Sequence, residues 1–427
     1  MKKLLFWLPL FFAAASTAQT PYEFKEVKTV KATPVKSQDQ TGTCWAFSTA
    51  SFLESEIIRM GKAPVDLSEM YVVRHIYRDK AENYVRRQGT AQLGEGGLAH
   101  DLLNAVREHG LVTEQAYPGR KDPSKPFSHS SLEQKLKDLC NSMVDQGKQG
   151  KLAAGWLGRI DSLLDAELGK APNTFVENGV QYTPQSFREY LGITPDDYVN
   201  ITSFSHHPFY ASFMLEVPDN FANGSFYNLP LSEMMRCLNY AIQQGYGVEW
   251  DADVSNRGFS TQNGLAIVPE KEWKDKTTAE QANSFKYWED EKEVSQAYRQ
   301  EMFDRQITTD DHLMHITGIT DETQSGLFYT VKNSWGTNSG VDGYLNVSEN
   351  YMRLNTISFT IHKNALPSDV RKRMGLEPGQ VTIEQTKPTN STTTKPTSKT
   401  APANVQKNMR ATEAAPSKAS PGGGSKQ

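Results

Sequence analysis

Apolar side chains at Phe47, Ala50, Leu53 and Ile57 recur at helical spacing, which predicts a helix from Cys44 to about Met60 with Gly61 ending it. Thr43 stands where a capping side chain belongs. Asp66-Leu67-Ser68-Glu69 opens a second helix through Tyr71, Val72, His75 and Ile76, with Ser68 as its cap. Gly94-Glu95-Gly96-Gly97 reads as a turn that no side chain crowds. The amphipathic helix after it carries Leu102, Leu103, Ala105 and Val106 and closes at Gly110. His75 reads as a packed or surface helix residue, and His100 and His109 as surface residues. From Lys121 to Gly245 the pattern is polar and largely helical, clearest over Leu132 to Val144 and Leu231 to Gln244. Tyr198 to Glu216 is strand-like between them.

The period then changes. Gly247 to Val254 alternates as a strand does. A densely charged stretch from Lys271 to Gln306 reads as a solvated excursion. Four further strands are predicted over His315 to Ile319, Leu327 to Lys332, Gly343 to Val347 and Thr356 to His362. A helical first part and a sheet-rich last part make an α+β molecule of two layers with a cleft between them.

Composition changes this picture chiefly at the ends. Lys2 and Lys3, an apolar run from Leu4 to Ala15 and the small residues Ser16-Thr17-Ala18 have the form of an export signal cleaved before Gln19. That run is too short to span a bilayer comfortably, so the expected product is exported, periplasmic or secreted, with no membrane span. Thr386 to Gln427 is rich in Thr, Pro, Ser, Ala and Lys, and it cannot bury enough apolar surface to offset the entropy of ordering. The organisation read from the chain is a signal peptide at 1–18, a helical subdomain with Cys44 at 19–120, a mainly helical insertion at 121–245, a β-rich subdomain at 246–375 and a disordered tail at 376–427. Over 427 residues the formal net charge is -4, which gives no electrostatic reason to expect nucleic-acid binding. The three cysteines, Cys44, Cys140 and Cys237, define no disulfide framework, although Cys140 and Cys237 are free to pair if Cys44 is a thiol.

Candidate chemistry gathers around Cys44. In the first turn of a helix, unpaired N–H groups and the helix dipole favour a negative charge and lower a thiol's pKa. The bland alternative is a small buried hydrophobe. Gln38, just upstream, carries an amide able to donate beside the sulfur, as an oxyanion hole requires. Gly96 and Gly97 either serve a turn or leave bare backbone for pairing with an extended peptide. Downstream, Asp311-His312 followed by Gly318, and Asn333-Ser334-Trp335-Gly336, supply an imidazole, an amide to orient it and an aromatic shield. His315 is the rival base, but an offset of three on a strand places it on the opposite face. His206-His207 are adjacent and, read on a strand, point apart, which disfavours shared metal ligation.

These motifs resemble the papain-like cysteine peptidases. The likeness rests on Gln38 through Phe47, Gly96-Gly97, Asp311-His312 with Gly318, and Asn333 through Gly336 before Gly343-Tyr344. It implies a papain-like fold of a helical left part and an antiparallel β-barrel-like right part. It also implies Cys44 as nucleophile, His312 as acid and base, Asn333 orienting the ring, and Gln38 with the Cys44 N–H as oxyanion hole. Gly96 and Gly97 hold substrate backbone, and Trp335, on the substrate side, covers Asn333. Two positions that form a disulfide in papain are Thr41 and Gly94 here, so both halves are missing together. The stretch from Cys44 to His312 far exceeds the roughly 130–150 residues of papain and cathepsins. That length, the short lead before Pro34, Ser68-Glu-Met-Tyr71 and Ile361-His-Lys363 with Pro367 resemble the bleomycin hydrolase and aminopeptidase C branch. The branch implies a homo-oligomer that trims peptides from the N-terminus, with neither metal nor organic cofactor. Its own C-terminal end meets the substrate amine, whereas this chain ends in Gly-Ser-Lys-Gln after the tail. An endopeptidase, or a catalytically silent peptide-binding protein on the same scaffold, are the competing expectations.

Overall fold

The computed structural model describes residues 20–376 apart from 123 and 325. The segment 1–18, read as an export signal, and the stretch beyond 376, read as a disordered tail, lie outside the described residues. After an edge strand β1 (Phe24–Thr29), helix α1 (Cys44–Arg59) is buried at every position from Cys44 to Ile57. A helix enclosed all round belongs at the centre of a domain. It ends where Gly61 takes φ 81, a backbone state that costs glycine nothing. Thr43 occupies the N-cap position without capping, because its hydroxyl pairs with that of Thr41 at 2.6 Å. Helix α2 (Glu69–Arg86) is capped by Ser68, which accepts from the Tyr71 N–H at 3.0 Å. At the start of α3 (Ala99–His109) the Asp101 carboxylate accepts from the Leu98 N–H at 2.8 Å.

Residues 121–245 are more mixed than their pattern predicts. Helices α4 (Ser130–Lys148) and α5 (Leu157–Leu168) are followed by a hairpin of β2 (Phe175–Glu177) and β3 (Val180–Tyr182). Then come α6 (Pro184–Leu191), strands β4 (Tyr198–Thr202), β5 (Ser212–Met214) and β6 (Ser225–Asn228), and α7 (Leu231–Gln243). Strands of three to five residues are too short to express a period, and β4 to β6 owe their form to pairing with the main sheet.

The last part supplies β7 (Val248–Ala252), β8 (Phe259–Ser260), β9 (Leu265–Ala266), α8 (Thr278–Asn283) and α9 (Gln296–Asp304). It continues with β10 (His312–Glu322), β11 (Gly326–Lys332), β12 (Tyr344–Ser348), α10 (Glu349–Asn355), β13 (Thr356–His362) and α11 (Ser368–Arg373). The charged stretch 271–306 is tethered, not simply solvated. Lys276 is buried and donates to Ser284 Oγ at 2.7 Å, and Arg299, 1% exposed, donates to the Ser203 carbonyl at 2.8 Å.

The main sheet runs β5-β6-β4-β13-β7-β10-β11-β12-β9-β8. β10 carries β11 along one edge, and β7 followed by β1 along the other. Alternation divides the two faces. Val248, Trp250 and Ala252 of β7, with Met314 and Ile316 of β10, join the core that includes α7. Leu313 joins the core built from α1 to α6, and His315, on the same face, lies edge-on to Phe52 of α1, its Nδ1 3.0 Å from Ser51 Oγ. His315 is therefore a packed residue on the face opposite His312.

The readings of His100 and of the His206–His207 pair change in three dimensions, while His75 is a packed helix residue as read. His100 is buried, 6% exposed, with its ring edge-on to Phe226. His75 stacks on His109 with ring centroids 3.7 Å apart. His206 and His207 lie in a turn, not on a strand, and converge on Glu216, with Nε2 atoms 3.2 and 2.7 Å from its carboxylate. Cys140 and Cys237 are both buried free thiols and belong to separate cores.

Candidate active site

Cys44 opens α1 and is 8% exposed. The Leu313 N–H points at its sulfur and lowers the thiol pKa, but burial dominates and pushes it up to about 12. The carboxylates of Asp310, Asp219 and Asp251 act in the same direction as burial. The expectation of a thiol made acidic by the helix end is thus corrected for the free protein: desolvation outweighs the dipole.

The His312 imidazole is placed by β10. His312, 3% exposed, has Nε2 at 2.7 Å from Asn333 Oδ1. The same Oδ1 accepts from the Ser334 backbone N–H at 2.7 Å, which fixes the amide's orientation. His312 must therefore carry its proton on Nε2, leaving Nδ1 as the acceptor. Burial pushes the ring down to about 4, so for the imidazole as for the thiol it favours the neutral form. Trp335 stacks on His312 itself, with centroids 4.4 Å apart and planes at 28°. The contact shown is with the ring, whereas the sequence assigned Trp335 to the Asn333 amide.

Gln38 is fixed by two contacts that settle which end is which. Its Nε2 donates to the Thr41 carbonyl at 2.7 Å, and its Oε1 accepts from Ser334 Oγ at 2.7 Å. The amide retains a second N–H to offer. The Gln38 N–H also donates to the Ser334 carbonyl at 2.8 Å, so this loop is zipped onto the Asn333–Trp335 segment. Ser334 thus orients both Asn333 and Gln38, a role the sequence reading missed although the residue stands within the quoted motif.

The glycine turn is reached from the other side. The Trp45 indole N–H donates to the Glu95 carbonyl at 3.0 Å, and the Gly42 N–H donates to Glu95 Oε2 at 2.6 Å. Glu95 therefore joins the two loops whose positions Thr41 and Gly94 carry no cysteines. A Cβ on Gly97 would lie 3.1 Å from the Trp45 ring, and one on Gly96 would overlap the Asp219 carboxylate. At both positions the absence of a Cβ lets a neighbouring side chain approach closely, and neither has a positive φ. The Gly96 carbonyl accepts from the buried Lys80 ammonium. Lys80, Asp219, Asp251 and Asp310 were not anticipated, and Asp219 lies in the insertion, far in sequence from either motif.

His206, His207 and Glu216 bring ligand atoms within 4.8 Å of one another. However, Gln300 Oε1 accepts from the Ser205 N–H at 2.6 Å, so Gln300 Nε2 faces His206 Nδ1 at 3.0 Å. That places the His206 proton on Nε2, toward Glu216, and the cluster is satisfied by hydrogen bonds.

On β7, Glu249 is fully buried beneath α1, where Ser48 Oγ donates to it at 3.4 Å. Burial pushes its carboxyl up to about 8. The folded value exceeds the unfolded one of about 4.3, so its contribution is complete below that pH and is lost as pH rises toward 8. Glu249→Gln should flatten the fall in stability between pH 5 and pH 8 by on the order of a few kcal/mol. Urea unfolding of both proteins at the two pH values measures this, and parallel curves would contradict it.

A profile of the Peptidase C1-like family matches residues 84–384, well over half of the chain. Aminopeptidase C from Lactobacillus delbrueckii subsp. lactis is 24% identical over 429 residues, covering 85% of this chain and 90% of that protein. Human cathepsin L2 is 30% identical over 156 residues, 36% of this chain and 42% of its own length. The crystal structure of PepW from Lactobacillus rhamnosis HN001 shares the fold, with a TM-score of 0.62 at 19% identity over 82% of this chain and 84% of that one. With the matched profile spanning most of the sheet and its helices, the chain belongs to the Peptidase C1-like family and is a cysteine peptidase.

Proposed function

We propose that this is an exported aminopeptidase in which Cys44, His312 and Asn333 carry out the hydrolysis. The observation that carries the reading is the His312–Asn333 contact, whose geometry leaves Nδ1 as the basic nitrogen. On substrate binding the Cys44 proton passes to His312 Nδ1, and the sulfur attacks the scissile carbonyl carbon. The oxygen takes up the electron pair and receives the Cys44 N–H and the second N–H of Gln38. The intermediate collapses to a thioester as His312 returns the proton to the departing amine. Water, deprotonated by the same ring, then releases the acid and restores the thiol. Proton transfer from a neutral pair, inside a water-poor site, suits a cleft that becomes active only when filled.

Action from the amino terminus draws on the names of the relatives, among them aminopeptidases C and G of Lactobacillus delbrueckii subsp. lactis. The test compares a fluorogenic peptide bearing a free amine with its N-acetylated copy. The free amine should be cleaved at least about tenfold faster, the worth of one charge-assisted contact. Equal rates would exclude an aminopeptidase and leave an endopeptidase. Export rests on the first eighteen residues, and protein recovered from its source should begin at Gln19. An intact Met1 terminus would remove that part of the proposal.

A further inference from the structure

Beside Cys44 stand three carboxyl groups with no part in the hydrolytic chemistry. Asp219 lies on Gly96, at the wall proposed to hold substrate backbone. Asp310 and Asp251 are close enough to Asp219 and to the thiol for their charges to be felt at both. Asp251 is fully buried and its carboxyl group is hydrogen-bonded to that of Asp310, which requires one of the two to carry a proton, and Asp310 also accepts from the Asp219 backbone N–H. Among the described residues no lysine, arginine or histidine makes an ion pair with any of the three. The buried cation nearby, Lys80, is turned to the Gly96 carbonyl and lies 5.1 Å from the Phe221 ring centre. The carboxylate that faces the glycine wall is thus that of Asp219, and its neighbouring cation, Lys80, is committed to a backbone carbonyl, which leaves Asp219 open to a cation brought by a ligand.

The segment that presents Asp219 is firmly built. Asn220, 7% exposed, donates from Nδ2 to the Leu215 carbonyl at 2.9 Å and to the Gly224 carbonyl at 3.0 Å, and it accepts from the Gly224 N–H at 2.6 Å. Gly224 in turn rests against the His100 ring of α3. Asp219 itself receives one side-chain hydrogen bond, from Gln92 Nε2 at 3.1 Å. A rigid loop holding a carboxylate over the backbone-binding glycine selects a cation borne by the peptide backbone itself.

We propose that Asp219, backed by Asp310 and Asp251, is the anchor for the protonated α-amino group of the substrate. This rests on the aminopeptidase reading. It places the N-terminal restriction in residues 215–224 of the insertion, not in the end of the chain. An ammonium seated there also offsets the negative field at Cys44, so the correct substrate eases the formation of the thiolate.

The test uses the full chain and fluorogenic peptides with one, two or three residues before the cleaved amide, each with a free and an acetylated amine. A further acetylated peptide carries an internal lysine. Asp219→Asn should lower kcat/KM on the best free-amine substrate by about tenfold to a hundredfold, leaving acetylated copies within about twofold. Asp219→Glu should restore part of the loss, and thermal unfolding should confirm that both variants fold. An unchanged free-to-acetylated ratio in Asp219→Asn, or equal losses on both, would overturn the proposal. A loss confined to the internal-lysine peptide would also overturn it, assigning the carboxylate to side-chain ammonium groups. If the wild-type protein cleaves both forms equally, the aminopeptidase reading fails on its own. The lysine peptide then still reports whether Asp219 binds a cation.

Discussion

Cys44→Ala should remain folded and lose turnover by about 10⁴-fold or more, the scale seen when a catalytic nucleophile is deleted. The expected separation of fold from activity follows from the local structure. The cysteine sits in the first turn of α1, where alanine is an excellent helix residue, and its sulfur contributes little volume to the surrounding core. Trp45, Phe47, Leu53 and Ile57 carry the packing of the same helix. The other two cysteines cannot substitute for it, because Cys140 and Cys237 are buried in other parts of the molecule. The measurement is kcat/KM on a free-amine fluorogenic peptide together with a urea unfolding curve. A variant that folds and keeps the wild-type rate would end the assignment of Cys44.

Trp45→Ala is the change expected to cost the most stability near the site, about 3–5 kcal/mol. Its ring is fully buried, packs beneath Gly97 and donates its indole N–H to Glu95. Deleting it opens a cavity behind the glycine turn and cuts one of the two ties between the loops at 41–44 and 94–97. Activity should fall about tenfold or more even where the variant is folded, because small displacements of bound substrate cost rate steeply. Trp45→Phe keeps most of the volume but not the donor, and it should cost only about 1 kcal/mol. Urea unfolding of the three proteins orders these effects. A Phe variant as unstable as the Ala variant would mean that the hydrogen bond, not the packing, carries the load.

The parts of the molecule legible in the sequence were those with a long period or a dense motif. Helices α1, α2 and α3 have clear apolar stripes and identifiable ends, and β13 occupies the predicted Thr356–His362. His312 and Asn333 could be paired because both stand within short motifs at the ends of recognisable strands, and the structure joins them by a direct contact. What escaped was set by contacts distant in sequence. Strands β4 to β6 are made by the sheet edge they join. His206 and His207 converge only because a turn replaces the strand on which they would diverge. Lys276 and Arg299 look like surface charges until their carbonyl and hydroxyl partners are in place. The thiol's ionisation was misjudged for a related reason, since burial is a property of the fold and not of the helix end.

The Glu95 bridge has a consequence for the conditions under which such an enzyme can work. A peptidase whose cleft is laced by cystine needs an oxidant for its frame and a reductant for its reactive sulfur, two demands that pull against each other. Here the frame is closed by a carboxylate and a carbonyl. Strong reducing agents that keep Cys44 available therefore leave the architecture untouched, and the molecule can mature without any oxidative folding machinery.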